Sequence, residues 1–413
     1  MTSSLILLQL CFGIMVQRKF KAILDGIYAQ PKDFALLISN KLGHNFPCEL
    51  DLLMGISQED ELLKEIPSQS PFWQFGLIGY DFKNTIENQL FSANPNFVDL
   101  SSSSLFFRTS VVYTELEQAY QELGKLASHS QFKPDSILVE PGVNRNKFLD
   151  ILQELKGHIQ QGNIYEINYC IPYYGTYNSV DWVDLFYRLN ALASAPFSVF
   201  ARLGDLLILS ASPERFFKKK GDRITVQPMK GTSPRFPDIE YDNEVKRGLA
   251  LDEKERAENC MIVDLTRNDL SKICKVGSVN VDSLCEVFSF PNVHQMVSSV
   301  SGELCLEMNL ETILKSIFPM GSMTGAPKLK AMELIEQFEC FKRGPFSGSF
   351  GYVSPDQNMD FNVLIRSVFV DLKLKRFFFA TGSAITINSD PEKEWEEVLL
   401  KGNLIQKVLN AKS

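Results

Sequence analysis

The sequence predicts an α+β fold with mainly antiparallel sheets. Strand-like apolar runs are interrupted by helical segments, without the strict alternation typical of a parallel α/β sheet. The chain has 413 residues, of which 45% are hydrophobic and 22% charged, which is typical of a soluble globular protein with a sizeable core. No fixed-period repeat and no long disordered linker is visible, which argues against a repeat architecture.

Charge and cysteine usage argue against several classes of protein. The formal net charge is −8 and the isoelectric point about 5.3, and no basic stripe offsets the acidic excess, so a nucleic-acid-binding surface is not expected. The eight cysteines are scattered singly, without a Cys-x-x-Cys pair. This pattern favours reduced core thiols in a cytoplasmic protein over a disulfide framework or a zinc site.

The chain begins with a short apolar run from Leu5 to Val16, interrupted by Gln9 and Gly13. This run is too short to span a bilayer, and no positive charge precedes it as in a signal peptide. We interpret it as the first strand of the domain. A secretory signal is the alternative, and translation starting at Met15 stays open.

Secondary structure in the first third of the chain is mixed. Residues 19–29 predict a short amphipathic helix and residues 34–39 a buried strand. Residues 75–81 form a glycine-punctuated strand, in which small residues allow close backbone approach. Residues 92–104, rich in Ser, Asn and Pro, predict a loop, and residues 106–114 return to strand character.

The middle of the chain begins with a helix. Residues 148–160 carry apolar side chains at 148, 151, 152, 155 and 159, which form one face of a helix, and Asn144 or Asn146 is placed to cap it. Strands are then predicted at residues 166–177, 198–203 and 206–210.

Lys230 is the first candidate functional residue. It lies between Pro228 and Pro234, in a segment that predicts a constrained turn. Glu214 follows an apolar, strand-like run just upstream. A carboxylic acid and an amine at neighbouring strand ends can combine proton transfer with covalent attack. The alternative is a structural ion pair at a sheet edge.

Glu258 is the second candidate, because it shares the apolar face of a predicted helix at residues 256–269. Ile262, Leu265 and Asp269 fall on the same face at helical spacing. A buried carboxylate needs a cation or hydrogen-bond donors, since leaving it bare costs several kcal/mol.

Two later segments have features of anion-binding sites. Residues 318–328 place Gly and hydroxyl residues before a helix at 329–338, where backbone N–H groups can face an anion; many ordinary helix caps look the same. Residues 361–371 predict a strand that contains Arg366. An always-charged guanidinium within an apolar strand usually meets a carboxylate, from the protein or from a ligand.

A further segment combines a glycine-containing strand at 380–386 with a helix that begins near residue 390. Glu394, Glu397 and Lys401 share one face of that helix, and a Glu397–Lys401 surface ion pair is the alternative interpretation. Glu258 and Glu397 together could hold a hard divalent cation. Magnesium uses one or two protein carboxylates plus substrate oxygens and water, which suits this set.

Taken together, these segments resemble the chorismate-utilising enzymes, from about residue 34 to the C-terminus. The resemblance implies one large unit over residues 1–413, with 1–140 as its N-terminal portion and 141–413 as the catalytic core. It also implies two antiparallel sheets packed face to face, helices outside, and an active-site cleft between them. The motifs that carry it are Gly162–Asn168, Ser212–Phe216, Pro228–Thr232, the Glu258 helix, Thr324–Lys328 and the helix at 394–403.

Three positions discriminate between branches of the family. Related anthranilate synthases usually carry a small residue where Lys230 stands, so the lysine favours the aminodeoxychorismate branch. Isochorismate and salicylate synthases place a water-activating lysine near Glu166, where this chain has an acid. The family's histidine before the Leu/Met-Val-Ser segment is replaced by Gln295, with His294 one place earlier. We interpret Gln295 as a hydrogen-bond donor, because a one-residue shift on a strand reverses the side chain's direction.

The resemblance implies a magnesium-dependent amination of chorismate. Glu214 is expected to protonate the departing C4 hydroxyl while Lys230, at least partly neutral, attacks C2, after which ammonia adds at C4 and displaces the lysine. The expected magnesium ligands are Glu258 and Glu397, with Glu255 and Glu394 as further ligands or supporting groups. The expected substrate-binding residues are Gln295, Ser322, Thr324, Arg366, Gly382, Ser383, Ala384 and Lys401.

Ammonia is expected from a separate glutamine amidotransferase subunit, since no Cys-His-Glu glutaminase domain is recognisable in the chain. The product would serve p-aminobenzoate and folate synthesis, which makes the protein a transferase in the broad sense. Anthranilate synthesis and a non-catalytic chorismate-binding protein are the alternatives. Relatives hold tryptophan at positions that resemble Ser39, Pro196, Phe197 and Ser198; ordinary sheet packing is the alternative there.

Overall fold

The computed structural model describes residues 17–40, 52–59, 61–87, 94–98, 100, 102–124, 137, 139, 141–306 and 308–410. The predicted first strand at Leu5–Val16 and the alternative start at Met15 lie outside these residues. No helix in the described ranges combines the length and the apolar character needed to cross a membrane.

The strands form two antiparallel sheets. In chain order they are β1 (Phe34–Ile38), β2 (Leu52–Ile56), β3 (Trp73–Ile78), β4 (Ser104–Thr109), β5 (Val112–Tyr113), β6 (Glu166–Thr176), β7 (Phe197–Leu203), β8 (Leu206–Ser212), β9 (Arg215–Lys220), β10 (Arg223–Val226), β11 (Met229–Pro234), β12 (Asn280–Ser289), β13 (Val293–Glu303), β14 (Gly325–Ala326), β15 (Ser349–Val353), β16 (Met359–Asn362), β17 (Ser367–Asp371) and β18 (Arg376–Ile385). The first sheet has the order β14-β6-β18-β17-β8-β7-β1-β2-β5. The second has the order β11-β13-β10-β9-β16-β15-β3-β4, and β12 pairs with β13.

Helices pack outside the sheets. They are α1 (17–28), α2 (Lys83–Ile86), α3 (Leu116–Leu123), α4 (Arg145–Gln160), α5 (Trp182–Ala193), α6 (Ile239–Leu251), α7 (Glu253–Ser271), α8 (Leu310–Ile317), α9 (Lys328–Phe338) and α10 (Pro391–Asn410). Of the two candidate caps for α4, Asn144 is the one used: its side chain accepts a hydrogen bond from the backbone N–H of Lys147.

Strand alternation divides the interior into two large cores. In β1, Phe34 and Leu36 face one core together with Phe148 of α4 and Val398 of α10, whereas Ala35 faces the other core. That second core contains side chains from both sheets and therefore lies between them. The predicted α+β class, with two antiparallel sheets face to face and helices outside, is confirmed.

Two elements differ from their predictions. Lys230 lies in strand β11 and not in a turn, although the pairing of β11 with β13 shifts register between Met229 and Thr232. Arg366 does not lie within a strand, because residues 361–371 are divided between β16 and β17. Arg366 stands in the break between them with a left-handed φ of 50°. A non-glycine residue in this region ends the extended run, so the side chain leaves the sheet at a place that alternation alone does not predict.

Candidate active site

Lys230 and Glu166 form a buried ion pair between the two sheets. Lys230 Nζ lies 2.5 Å from Glu166 Oε1, and the two side chains are only 10% and 1% exposed. Burial alone would lower the pKa of Lys230, but the negative charges of Glu166, Glu258 and Glu214 outweigh it and raise the pKa. The raised pKa does not favour the expected partly neutral amine; it favours an ammonium ion held by the Glu166 carboxylate.

Glu214 lies beside this pair, in the short connection between β8 and β9. Burial raises its pKa to about 7, although a hydrogen bond from Ser322, the charge of Lys230 and the backbone N–H of Met229 act in the opposite direction. Ser322 Oγ donates to Glu214 Oε1 at 2.7 Å. A carboxyl group with this pKa carries a proton in a large fraction of molecules at neutral pH, as a general acid requires.

The turn at residues 320–326 brings Ser322 to Glu214. β14, at the end of this turn, pairs with the start of β6, and Gly325 has a φ of 145°. A Cβ atom at Gly325 would lie 2.1 Å from the carbonyl oxygen of Glu166, so only glycine fits this close approach. Thr324 is fully buried, and its hydroxyl donates to the carbonyl of Met320 at 3.0 Å. Substrate contact by Ser322 and Thr324 stays a prediction.

The four predicted magnesium-binding carboxylates influence one another. Burial raises the pKa of Glu258 to about 7, with further contributions from Glu166 and Glu255 against the charges of Lys230 and Lys254. Burial also raises the pKa of Glu255 and of Glu394, and in both cases the charge of Glu397 adds to the effect. Glu255 also lies next to the residue that follows Lys230 in β11, since a Cβ at Gly231 would lie 3.1 Å from its Oε2.

These carboxylates fit a hard cation by their chemistry. They provide oxygen ligands only, and the raised pKa values of Glu255, Glu258 and Glu394 reflect burial together with the crowding of negative charge that a divalent ion relieves. Among the described residues, no group of three or more His, Cys, Asp or Glu is arranged so that it could hold a metal ion by itself. Substrate oxygens and water would therefore have to complete a magnesium shell, and magnesium stays a prediction.

Lys401 and Glu397 form the surface ion pair that the sequence left as an alternative. Their charged atoms are 2.7 Å apart, and the side chains are 44% and 48% exposed. Such a pair contributes little to stability. Lys401 Nζ also donates to the carbonyl of Gly382 at 3.0 Å. It therefore lies beside the predicted backbone site of Gly382, Ser383 and Ala384, which occupies the last part of β18 opposite β6.

Arg366 has a different environment from the other cations. It is half-buried, burial lowers its pKa, and its guanidinium makes no hydrogen bond or ion pair with any other residue that the structure describes. A desolvated guanidinium without a protein carboxylate is suited to an anionic ligand.

Gln295 and His294 point to different surroundings. Gln295 Nε2 donates to the carbonyl of Gly231 at 2.8 Å, and its Oε1 accepts from Thr232 Oγ1 at 2.8 Å. The side chain thus supports the irregular part of β11 that follows Lys230. His294 instead lies 3.0 Å from Asp242 of α6. The structure therefore brings the side chain of Gln295, and not that of His294, to the residues after Lys230; substrate contact by Gln295 stays a prediction.

Ser39, Pro196, Phe197 and Ser198 come together at a second pocket, between the two sheets. Arg215 lies over the Phe197 ring, with 4.6 Å from its Cζ to the ring centroid, and its Nε donates to Asp360 at 2.9 Å. The pocket therefore combines apolar walls with one cationic and one anionic side chain.

Sequence reasoning missed the part that Glu166 plays. It used Glu166 to discriminate between branches but did not pair it with Lys230. A signal was present: Glu166 begins a mostly apolar strand, so its carboxylate needed a cation for the same reason as Glu258. The buried Glu339–Arg343 pair behind the turn was also missed.

Comparison with known proteins identifies the family to which this chain is related. The family model described as chorismate binding enzyme matches residues 50–407 of this chain. Aminodeoxychorismate synthase component 1 of Escherichia coli (strain K12) is 37% identical over 270 residues, which cover 65% of this chain and 59% of that protein. Anthranilate synthase component 1 of Saccharolobus solfataricus is 34% identical over 258 residues, covering 62% of this chain and 61% of that protein. The matched part thus spans about three fifths of each relative.

Solved structures support the fold. Anthranilate synthase component I from Streptococcus pneumoniae TIGR4 matches with a TM-score of 0.71 over 92% of this chain and 93% of that chain, at 24% identity. The menaquinone-specific isochorismate synthase of Escherichia coli matches with a TM-score of 0.72 over 94% and 91%, at 16% identity. At these identities the likeness concerns the fold and not the reaction.

Proposed function

Because this chain belongs to the chorismate-binding enzyme family, we propose that it catalyses the amination of chorismate to 4-amino-4-deoxychorismate, with ammonia as the nitrogen donor. The observation that carries the proposal is the placement of Lys230, Glu166 and Glu214 in one buried group. This group contains an amine, a base in contact with it and a protonated acid. Relatives named aminodeoxychorismate synthase component 1 support the same reaction.

Lys230 must lose a proton before it can act as a nucleophile. Glu166 Oε1, at 2.5 Å from Nζ, is placed to accept it. The neutral amine then forms a bond to C2 of chorismate, both ring double bonds shift, and the C4 hydroxyl leaves as water with the proton of Glu214. Ammonia adds at C4, the double bonds shift back, and the C2–N bond to Lys230 breaks. Chorismate and ammonia thereby give aminodeoxychorismate and water.

The substrate's carboxylates need cationic partners. Arg366 supplies one, because its guanidinium makes no ion pair within the described part of the chain. Lys401 and the backbone of Gly382–Ala384 would contribute to binding beside it. Magnesium held by Glu258 and Glu397, with Glu255 and Glu394 nearby, would orient and neutralise the ring carboxylate.

A separate glutamine amidotransferase subunit would supply the ammonia, and free ammonium salts would be a poorer substitute. The "component 1" in the names of the relatives supports a two-component enzyme. The product would then enter p-aminobenzoate and folate synthesis. We place this activity in the cytoplasm, consistent with the six described cysteines, which are all free thiols.

We also propose that the second pocket binds tryptophan. Pro196 and Phe197 offer apolar contacts for an indole ring. The ammonium and carboxylate groups of tryptophan would share the charges of Asp360 and Arg215, which already pair with each other at 2.9 Å. Calorimetric titration with tryptophan tests this proposal. Binding that is lost in Asp360→Ala supports it, whereas no heat of binding would mean that the pocket is ordinary sheet packing.

The decisive experiment is to incubate the purified protein with chorismate, Mg²⁺ and an ammonium salt, and to identify the product by mass spectrometry. We expect aminodeoxychorismate. Anthranilate as the product would establish the alternative amination, and chorismate binding without turnover would indicate a non-catalytic binding protein.

A further inference from the structure

A fully buried ion pair lies behind the turn at residues 320–326. Arg343 and Glu339 have side chains that are each 1% exposed. Two hydrogen bonds join them, from Nη2 to Oε1 at 2.5 Å and from Nε to Oε2 at 2.9 Å. The guanidinium also lies over the Tyr80 ring, 4.6 Å from its centroid. Desolvating two charges is costly, and an apolar pair of similar volume is often as stable, so stability alone does not explain this pair.

Further donors of Arg343 bind the backbone of two separate segments, and Nη1 also donates to the hydroxyl of Ser347 at 3.3 Å. Nη1 donates to the carbonyl of Met323 at 2.7 Å, and Nη2 donates to the carbonyl of Asn168 at 2.9 Å. Glu339 in turn accepts the backbone N–H of Cys170 at 2.9 Å. One side chain therefore bridges β6 and the turn at residues 320–326, through the planar set of donors that only arginine possesses.

The two bridged segments carry the partners of the two reacting groups. Met323 directly follows Ser322, whose hydroxyl binds Glu214. Asn168 lies two residues after Glu166, which binds Lys230. A second contact joins the segments, because the side chain of Asn168 donates to the carbonyl of Ser322 at 3.2 Å.

We propose that Arg343 is a positioning residue for the amination of chorismate; this inference rests on the proposed function. By holding the turn against β6, Arg343 sets the position of Ser322 relative to Glu166. It thereby fixes the separation between the acid and the amine that must act on opposite parts of one ring. Small displacements of reacting groups are costly, since a misplacement of ~1 Å can lower a rate about 100-fold.

The test replaces the ion pair by apolar residues of similar volume, in Arg343→Met with Glu339→Leu, so that no buried charge is left alone. The matched control is Lys83→Met with Glu336→Leu. Lys83 of α2 and Glu336 of α9 form a second pair, 2.7 Å apart, and Lys83 lies over the same Tyr80 ring. The described contacts of this pair are made with Asp81 and Asn84, and not with Met323 or Asn168.

We expect the Arg343/Glu339 variant to fold and to lose about 10- to 100-fold in kcat, with KM for chorismate changed less than about 3-fold. The alkaline limb of its kcat–pH profile should move to higher pH, because Ser322 no longer supports the ionised form of Glu214. The control should keep the wild-type kcat and profile. Arg343→Lys keeps the charge but not the planar donors, so its kcat should lie between those of the double variant and the control. If the double variant does not fold, Arg343→Lys replaces it in this test.

If a folded Arg343 variant keeps the wild-type kcat and the wild-type alkaline limb of the kcat–pH profile, the proposal that Arg343 positions the reacting groups is wrong. A readout independent of turnover is the NMR titration of the Glu214 carboxyl, whose midpoint should rise in the variant and stay constant in the control. If the wild-type protein does not aminate chorismate, the proposed function fails, and this titration still decides whether Arg343 controls the Glu214–Ser322 contact.

Discussion

The ammonium group of Lys230 lies 2.5 Å from Oε1 of Glu166, although 64 residues separate them in the chain. The second carboxylate oxygen of Glu166 is buried and has no hydrogen-bond partner among the described residues. The proton therefore resides on Lys230 Nζ, in contact with the Glu166 carboxylate that can accept it. The charge of Glu166 keeps the pKa of Lys230 high, and the same carboxylate is the group placed to accept the proton when the amine reacts.

Replacement of Lys230 tests the covalent step. In Lys230→Ala no amine is available to bond with C2, so no adduct between the protein and chorismate should form. Intact-protein mass spectrometry after rapid quenching should detect the adduct in the wild-type enzyme only. Detection of the same adduct in Lys230→Ala would show that another residue is the nucleophile.

Glu166→Gln should lower both the pKa of Lys230 and the rate. The amide removes the charge that offsets burial, so the pKa of Lys230 falls, but the proton acceptor is lost as well. We expect kcat to fall by about 10²- to 10⁴-fold, the usual contribution of a general base. Titration of dimethylated Lys230 by NMR measures the pKa. Glu154→Gln, exposed on α4, is the control and should change neither quantity.

Ser322→Ala should move the activity profile to higher pH. Burial raises the pKa of Glu214 to about 7, and the hydrogen bond from Ser322 keeps it from rising further. Without the bond the pKa rises, so the protonated acid persists further into the alkaline range. The kcat–pH profile measures this shift. A limb that stays at the wild-type pH would mean that Glu214 is not the acid whose titration limits kcat.

Glu214→Gln should change stability in a pH-dependent way. A raised pKa means that the folded protein binds this proton more tightly than the unfolded chain, so the associated stability is present below the ordinary carboxyl pKa and is lost as pH rises through about 7. The glutamine cannot ionise. The difference in melting temperature, variant minus wild type, should therefore increase between pH 6 and pH 8. Differential scanning calorimetry measures this difference. A difference independent of pH would contradict the raised pKa.

Magnesium affinity should rise with pH. Glu258, with a pKa of about 7, must lose its proton to bind a cation, so apparent affinity should increase between pH 6 and pH 8 and binding should release protons. Isothermal titration calorimetry in buffers of different ionisation enthalpy measures both effects. Glu258→Gln should abolish the pH dependence, whereas the exposed Glu396→Gln on α10 should retain it.

Arg366→Met should weaken substrate binding without harming the fold. Its guanidinium has no partner among the described residues, so its loss leaves no buried carboxylate unpaired. We expect KM for chorismate to rise about 10- to 100-fold, the equivalent of ~1.5–3 kcal/mol for hydrogen bonds to a charged group. The melting temperature should be equal or higher. A large loss of stability with unchanged KM would instead indicate a structural arginine.

Local patterns were enough to predict the fold class and the main candidates. The strand runs and the helical stripe at residues 148–160 predicted the α+β architecture, because burial of apolar faces depends on periodicity within one segment. Motifs in order along the chain also indicated Glu214, Lys230 and Glu258 as the residues to examine. Each of these inferences needed only residues that lie close together in the sequence.

Tertiary structure alone decided the charge states and the supporting contacts. Glu166 keeps Lys230 protonated, a positive φ takes Arg366 out of the strand, and Arg343 joins two segments 155 residues apart (323 − 168). The physical reason is that a pKa or an ion pair depends on the distance and burial of groups from remote parts of the chain. Periodicity within a segment specifies which face is buried, but not which distant charge will meet it there.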